Sequence, residues 1–296
     1  RADIYITNVV KCRPPQNKLT EPMYKACLPA FLEELQTLGA KYILAVGNTA
    51  LRALTGHKGI MKYRGQMLPG KHTEAQVFAT LHPAAGLYQP SNKPIIQNDF
   101  RAFVKIATGA WSPSSMDLTY TLITKKNVHL LTAAFQQAAE ISYDIETGFG
   151  RDAFSLDMKD PRNEILSIAF ACRIGDRAQV FVCSDFWPGF WQTIKTWMQI
   201  PYPPKTAQNA WYDNHFLFRK GIQVCTGNDT LLLSHLVDEN MPHNLEFLCT
   251  SYLKVPAWKG DIHVDMEQYN GRDALYTLYL RPVLEGLLTE RQCNLY

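Results

Sequence analysis

The sequence has no run of eighteen apolar residues and no basic stretch leading into an apolar one. Neither a membrane span nor a secretory leader is therefore predicted. Cysteine is sparse and odd in number, seven in 296 residues, which is too few and too scattered for a disulfide framework. With no leader, that usage points to a reducing, cytoplasmic setting. There is no internal repeat and no low-complexity tract. The first residue is Arg rather than Met, so the sequence is expected to be part of something longer.

What is present is the composition of a globular protein, 46% hydrophobic and 19% charged, at a length that suits two domains. Charge is unevenly spread. Residues 1–110 hold 14 Lys and Arg against 6 Asp and Glu, and residues 111–296 hold 16 against 21. A basic half suits a polyanion and an acidic half with clustered carboxylates suits a cation, although surface variation alone can produce such a split. Thr-Gly-Ala-Trp-Ser-Pro-Ser-Ser-Met-Asp at 108–117 reads as the linker, giving domains 1–110 and 111–296. Before it, strands are expected at Ile4–Val10, Tyr42–Val46 and Val77–Leu81, with helices at Glu21–Leu38, after Gly47, and at Lys93–Thr108. Short apolar strands between helices imply a parallel sheet covered on both faces. After the linker, strands at Thr119–Thr124, Glu140–Glu146, Ile165–Cys172 and Gln179–Cys183 imply a mixed sheet. A helix is expected at Val128–Glu140, and a last long one from about Asp265 to Arg291. Cys172, Cys183, Cys225, Cys249 and Cys293 read as core or incidental thiols.

Three acidic elements in the second half carry chemistry together more than singly. In Glu140-Ile-Ser-Tyr-Asp-Ile-Glu-Thr147 the i, i+2 spacing puts Asp144 and Glu146 on one face of a strand, where two carboxylates can grip one ion. Oxygen ligands of this kind suit Mg²⁺ or Mn²⁺. Gln208-Asn209-Ala-Trp-Tyr-Asp213 lies at a strand-to-helix junction, where Asn209 or Asp213 could simply cap the helix. In Tyr269-Asn-Gly-Arg-Asp273 the i, i+4 spacing points Tyr269 and Asp273 the same way; otherwise the tyrosine packs and the aspartate faces water.

In that order and at those gaps the three elements resemble the DEDDy exonucleases, and most closely the proofreading domain of family A DNA polymerases. Asp229-Thr-Leu-Leu-Leu233 and His243-Asn-Leu-Glu-Phe-Leu248 resemble that family's intervening helices, so the likeness runs over about 119–285. It implies a ribonuclease H-like fold in which Asp144, Glu146, Asp213 and Asp273 hold two divalent cations. Tyr269 would position the attacking water, since a phenol is a poor base at neutral pH. Thr147 and Asn209 would contact the terminal nucleotide, Asn209 being equally readable as structural.

In the basic half, Asn8-Val-Val-Lys-Cys12-Arg-Pro-Pro15, Ala26-Cys-Leu-Pro29, Val46-Gly-Asn-Thr-Ala50, the Lys62-Tyr-Arg-Gly-Gln66 turn and Leu81-His-Pro-Ala84 occur in fixed order. They resemble the uracil-DNA glycosylase superfamily, closest to its iron–sulfur family 4, over about residues 3–105. That resemblance implies an α/β/α fold with Asn8 reading the uracil edge and His82 stabilising charge on the departing base. Cys12 and Cys27 fall where the family places two of four ligands to a [4Fe–4S] cluster; two free thiols is the other reading. The family's glycine-rich loop, with its water-activating acid, should precede Ile4 and does not. As written, this half is thus expected to be an incomplete glycosylase that releases no uracil by itself; if the longer protein lacks the loop too, the domain is expected to be a DNA-binding platform.

A glycosylase-like domain followed by a proofreading domain resembles certain bacteriophage family A DNA polymerases. The resemblance implies a bacterial or phage-infected cytoplasm, partnership with single-stranded 3′ ends and primer–template DNA, and a polymerase domain downstream of Arg281-Pro-Val-Leu-Glu-Gly-Leu-Leu-Thr-Glu-Arg291. Three alternatives are weighed: an RNA-trimming enzyme of the ribonuclease D kind, a metal-free DNA-binding module, and a uracil-releasing enzyme.

Overall fold

A computed structural model describes residues 4–110, 118–150, 153–253, 255, 258 and 265–295. The chain divides into two compact units, Arg1–Ser114 and Ser115–Tyr296. Residues 111–117 of the expected linker lie outside the described residues.

Unit 1 contains α1 (Glu21–Leu38), β1 (Tyr42–Val46), α2 (Asn48–Thr55), the one-turn α3 (Ile60–Tyr63), β2 (Met67–Pro69), β3 (Gln76–Thr80), the one-turn α4 (Ala85–Tyr88) and α5 (Asn92–Ala107). Its sheet has the order β1-β3-β2. The parallel pair β1/β3 is the one the sequence implies, and the short β2, which runs antiparallel to β3, is an addition to it. Adjacent residues of β3 point to opposite faces. Val77 joins Phe31 and Leu35 of α1, while Phe78 meets Phe103 of α5, so helices cover both sides. The expected strand at Ile4–Val10 is not one: it pairs with no strand among the described residues. Ile4, Tyr5 and Ile6 are exposed, and the segment is held by side chains, Tyr5 and Thr7 donating to the Glu34 carboxylate of α1. Apolar alternation supplies a strand-forming segment, but only a neighbouring edge makes it a strand.

Unit 2 contains β4 (Tyr120–Leu122), α6 (Val128–Gln137), β5 (Glu140–Gly148), β6 (Glu164–Ile174), β7 (Arg177–Cys183), α7 (Phe190–Gln199), β8 (Lys205–Ala207), α8 (Ala210–Arg219), β9 (Thr226–Asp229), α9 (Thr230–Val237), α10 (Leu245–Leu248), α11 (Met266–Glu285) and α12 (Glu290–Cys293). Its six strands run in the order β4-β7-β6-β5-β8-β9. The hairpins β5/β6 and β6/β7 are antiparallel, and β4, β8 and β9 join in parallel. This is the mixed sheet that the sequence implies.

The two-residue period of β5 sorts its side chains into two jobs. Ile141, Tyr143 and Ile145 enter the main core with residues of α6, α7 and α8. Ser142, Asp144 and Glu146 face the other way, where Ser142 Oγ donates to Ala274 O of α11 at 2.5 Å. Along β6, Ile168, Phe170 and Cys172 join the same core, whereas Ser167 and Arg173 bond to α11. Small residues Ser167, Ala169 and Ala171 let that helix lie close to the sheet. Gly271 belongs to the same contact, because a Cβ there would sit 3.1 Å from Val182 Cγ2 and 3.3 Å from Val180 Cγ1. A mid-helix glycine costs roughly 0.5–1 kcal/mol relative to alanine, and close docking is what that cost secures.

The last helix is shorter than expected. α11 ends at Glu285 with Gly286 as its cap, and Thr289 starts α12 with a capping box to Gln292. Arg281 anchors this end of the chain to the sheet, donating to both oxygens of the buried Glu140 on β5. No helix among the described residues is long and apolar enough to cross a membrane.

Candidate metal centre

Asp144 and Glu146 lie at the end of β5, where the register with β6 slips between Glu146 and Thr147. Such a bulge re-aims side chains at a strand end. The chain leaves through Gly148, where a Cβ would lie 2.4 Å from Ala153 O and no side chain fits. Across from β5, α11 presents Asp273. Carboxylate oxygens of Asp144, Glu146 and Asp273 lie within 4.8 Å of one another. Asp213, in the first turn of α8, stands beside them, buried to 3% exposure. Its Oδ1 accepts from Ile145 N at 3.0 Å, which ties it to the strand between the two β5 acids.

The electrostatics are those of anions crowded away from water. Burial, then repulsion from Asp213, Asp273 and Glu146, holds the Asp144 carboxyl well above the ordinary range, although the Asn270 amide pulls the other way. Glu146 is raised by burial, then by Asp273 and Asp213. Burial likewise raises Asp213, against the Ile145 amide. A cation relieves all three, and an all-carboxylate donor set fits a hard, oxygen-seeking divalent ion such as Mg²⁺ or Mn²⁺. Tyr269 is buried on α11. Burial and the neighbouring carboxylates, Asp273 first, push its hydroxyl far up, so it is protonated at neutral pH.

Asn209 does not cap α8 with its own side chain. Its backbone is left-handed, at φ 61°, and the cap comes from Asp229, which accepts from Asn209 N at 3.0 Å and Ala210 N at 2.9 Å. The same carboxylate accepts from Leu231 N at 2.9 Å and so caps α9 as well. Asn209 is exposed, and its amide makes no hydrogen bond among the described residues. Thr147 is committed elsewhere: its hydroxyl donates to Ser155 O at 2.6 Å and bonds the Tyr212 hydroxyl. It ties the end of β5 to Ser155 and to Tyr212 of α8.

Four residues of the centre carry no role in the sequence reading. Asn270 Nδ2 donates to Asp144 Oδ2 at 2.7 Å, and Ser167 Oγ donates to Asn270 Oδ1 at 2.8 Å. Trp258 Nε1 donates to Asp273 Oδ1 at 2.5 Å. Asp229 is the double cap. A polar residue between Tyr269 and the glycine of a buried helix is the one signal that could have marked Asn270.

In unit 1, Asn8 and His82 are both exposed. His82 Nδ1 accepts from Ala84 N at 3.2 Å, which puts the proton of the neutral ring on Nε2. Cys12 is exposed and Cys27 half-buried. Neither joins a group of three ligand-type side chains among the described residues.

Residues 122–289 match the family model described as 3′-5′ exonuclease. The match covers more than half of the chain, which therefore belongs to that family, one of hydrolytic nucleases, and unit 2 is its ribonuclease H-like domain. Residues 1–107 match the uracil DNA glycosylase superfamily, so the chain is a glycosylase-like domain followed by an exonuclease domain. Among curated relatives, a type-4 uracil-DNA glycosylase of Sulfurisphaera tokodaii is 35% identical over 130 residues, 41% of this chain and 58% of that protein. A DNA polymerase of Bacillus phage SP01 is 27% identical over 110 residues, 36% of this chain and 12% of that one. The chain spans little more than half the length of the glycosylases it matches first. The crystal structure of Escherichia coli RNase D is similar at 16% identity and a TM-score of 0.42, covering 57% of this chain and 45% of that one.

Proposed function

We propose that unit 2 is a two-metal 3′→5′ exonuclease of the proofreading type, acting on DNA within a family A DNA polymerase. The observation that carries the reading is the convergence of Asp144, Glu146 and Asp273 within 4.8 Å, with Asp213 and Tyr269 beside them, inside the segment that matches the exonuclease family. In this reading Asp144, Glu146, Asp213 and Asp273 hold the two ions. Divalent ions in such a site stabilise the charge developing on the attacked phosphodiester and acidify water.

The protein's own groups do the rest. The protonated Tyr269 hydroxyl donates to the attacking water and fixes its direction. Asn209, relieved of capping by Asp229, offers its amide to the terminal nucleotide. The water oxygen joins phosphorus, the 3′-oxygen of the next nucleotide leaves, and a nucleoside 5′-monophosphate is released. Unit 1, with its excess of Lys and Arg, contributes phosphate contacts to DNA. Its Asn8 and His82 are a base-handling pair, and an iron–sulfur role for Cys12 and Cys27 stays with the family resemblance alone.

Digestion of 5′-labelled single strands of DNA and RNA of one sequence, with Mg²⁺ or Mn²⁺, tests the reading. A ladder shortening from the 3′ end on DNA, with 5′-monophosphates as product, is expected. Preference for RNA would replace the proofreading role with RNA trimming. Binding of DNA without digestion under either metal would leave a binding module.

A further inference from the structure

Asn270 is fully buried in the N-terminal part of α11, between Tyr269 and Gly271. Its amide is used at both ends. Nδ2 donates to Asp144 Oδ2 at 2.7 Å, and Oδ1 accepts from Ser167 Oγ, on the fully buried Ser167 of β6, at 2.8 Å. The order of these bonds is fixed by chemistry. Turned over, the amide would set its oxygen against the carboxylate, acceptor against acceptor. The serine hydroxyl secures the other end, so the NH₂ group is held toward Asp144. The Asp144 carboxylate makes no other hydrogen bond among the described residues. One of its oxygens thus accepts from an uncharged donor, and the carboxylate stands within 4.8 Å of those of Glu146 and Asp273.

Docking of α11 does not need this bond. Ser142 Oγ already ties β5 to Ala274 O, Arg173 ties β6 to Leu278 O, and Arg281 ties the helix to Glu140. A buried amide reaching a single carboxylate oxygen in the centre has a different use. We infer that Ser167 and Asn270 are positioning residues that hold Asp144 in the orientation required to bind a divalent cation. The inference rests on the reading of Asp144 as a metal ligand. Partners of this kind, behind the ligands themselves, typically change metal affinity or activity by about 10- to 100-fold when removed.

The test is Mn²⁺ binding by the full chain, read from the electron paramagnetic resonance signal of free Mn²⁺, for the native protein, Asp144→Ala, Asn270→Leu and Ser167→Ala. Thermal melting in EDTA identifies the variants that fold. The native chain is expected to bind Mn²⁺ and Asp144→Ala to lose the site. Asn270→Leu should bind about tenfold more weakly or worse, and Ser167→Ala should be weakened in the same direction. The Mn²⁺ concentration needed for half-maximal digestion should rise in step, while KM for DNA stays unchanged. Folded variants that bind Mn²⁺ as the native chain does would overturn the positioning role while leaving the metal site standing. If Asn270→Leu does not fold, Ser167→Ala decides alone, because it keeps the amide and removes only its restraint. A native chain that binds no Mn²⁺ would overturn the metal-site reading itself, and this inference with it.

Discussion

Replacing Gly271 with valine should separate the two halves of the metal centre. α11 carries Tyr269 and Asp273, β5 carries Asp144 and Glu146, and the helix approaches the sheet closely because position 271 has no side chain. The first added carbon would meet Val182 Cγ2 at 3.1 Å and Val180 Cγ1 at 3.3 Å. Both valines are buried on β7, so they can yield only by moving the strand or the helix. For alanine the clash is small, and the roughly 0.5–1 kcal/mol gained in helix propensity offsets part of it. Valine adds two further methyl groups and gains little propensity. Overpacking of this kind costs about 1–3 kcal/mol, or roughly 2–12 °C of melting temperature for a unit of this size. Activity should suffer more than stability, since a shift of about 1 Å at a reacting centre can cost on the order of 10²-fold. Thermal melting and the rate of digestion of 5′-labelled DNA read the two effects. Val182→Ala in the same chain opens the space and should recover part of both. Gly271→Val melting and digesting like the native protein would show that α11 does not depend on this contact, and the account of how the centre is closed would fail.

Three other outcomes are expected. Tyr269→Phe removes one hydroxyl donor; a hydrogen bond to a charged group is worth about 1.5–3 kcal/mol, so kcat should fall by about 10- to 100-fold with KM unchanged, whereas loss of a rise in activity with pH would make the tyrosine a base. In EDTA, the folded-state carboxyls of Asp144, Glu146 and Asp213 stand above their unfolded values of about 4; their contribution is therefore fully present below pH about 4 and is lost as pH rises through the folded values. Asp144→Asn should flatten that decline in melting temperature, and Mn²⁺ should reverse it in the native chain; a decline identical in the variant would contradict the assignment. Asp229→Ala leaves the first amides of α8 and α9 uncapped, at about 0.5–2 kcal/mol per cap, and calorimetry that finds no loss would remove Asp229 from the account of how Asn209 is freed.

Local signals made much of the fold legible. The helix Glu21–Leu38 begins with a proline in its first turn and closes at Gly39 in the left-handed region, and both signals can be read without a structure. The i, i+2 spacing of Asp144 and Glu146 and the i, i+4 spacing of Tyr269 and Asp273 placed these residues correctly on their own strand and helix. What was not legible depends on partners distant in the chain. Ile4–Val10 has the composition of a strand and no edge beside it. The run to Arg291 read as one helix because Gly286 and the Thr289 cap are weak punctuation in an otherwise helical composition. Asn270 meets Asp144 across 126 residues and Ser167 across 103, and Asp229 caps a helix that starts 19 residues before it. Thr147 follows the acids of β5, but its hydroxyl meets Ser155, eight residues on, and Tyr212, 65 residues away.

Hydrolysis at the carboxylate cluster is tested by digestion of 5′-labelled single-stranded DNA by the native chain and by Asp144→Ala, with Mg²⁺, with Mn²⁺ and with EDTA. A ladder shortening from the 3′ end is expected with the native chain and a divalent ion, abolished both by EDTA and by the substitution. Digestion that persists in EDTA or in Asp144→Ala would contradict it, because the carboxylates and the cation they hold would then not be the site of hydrolysis.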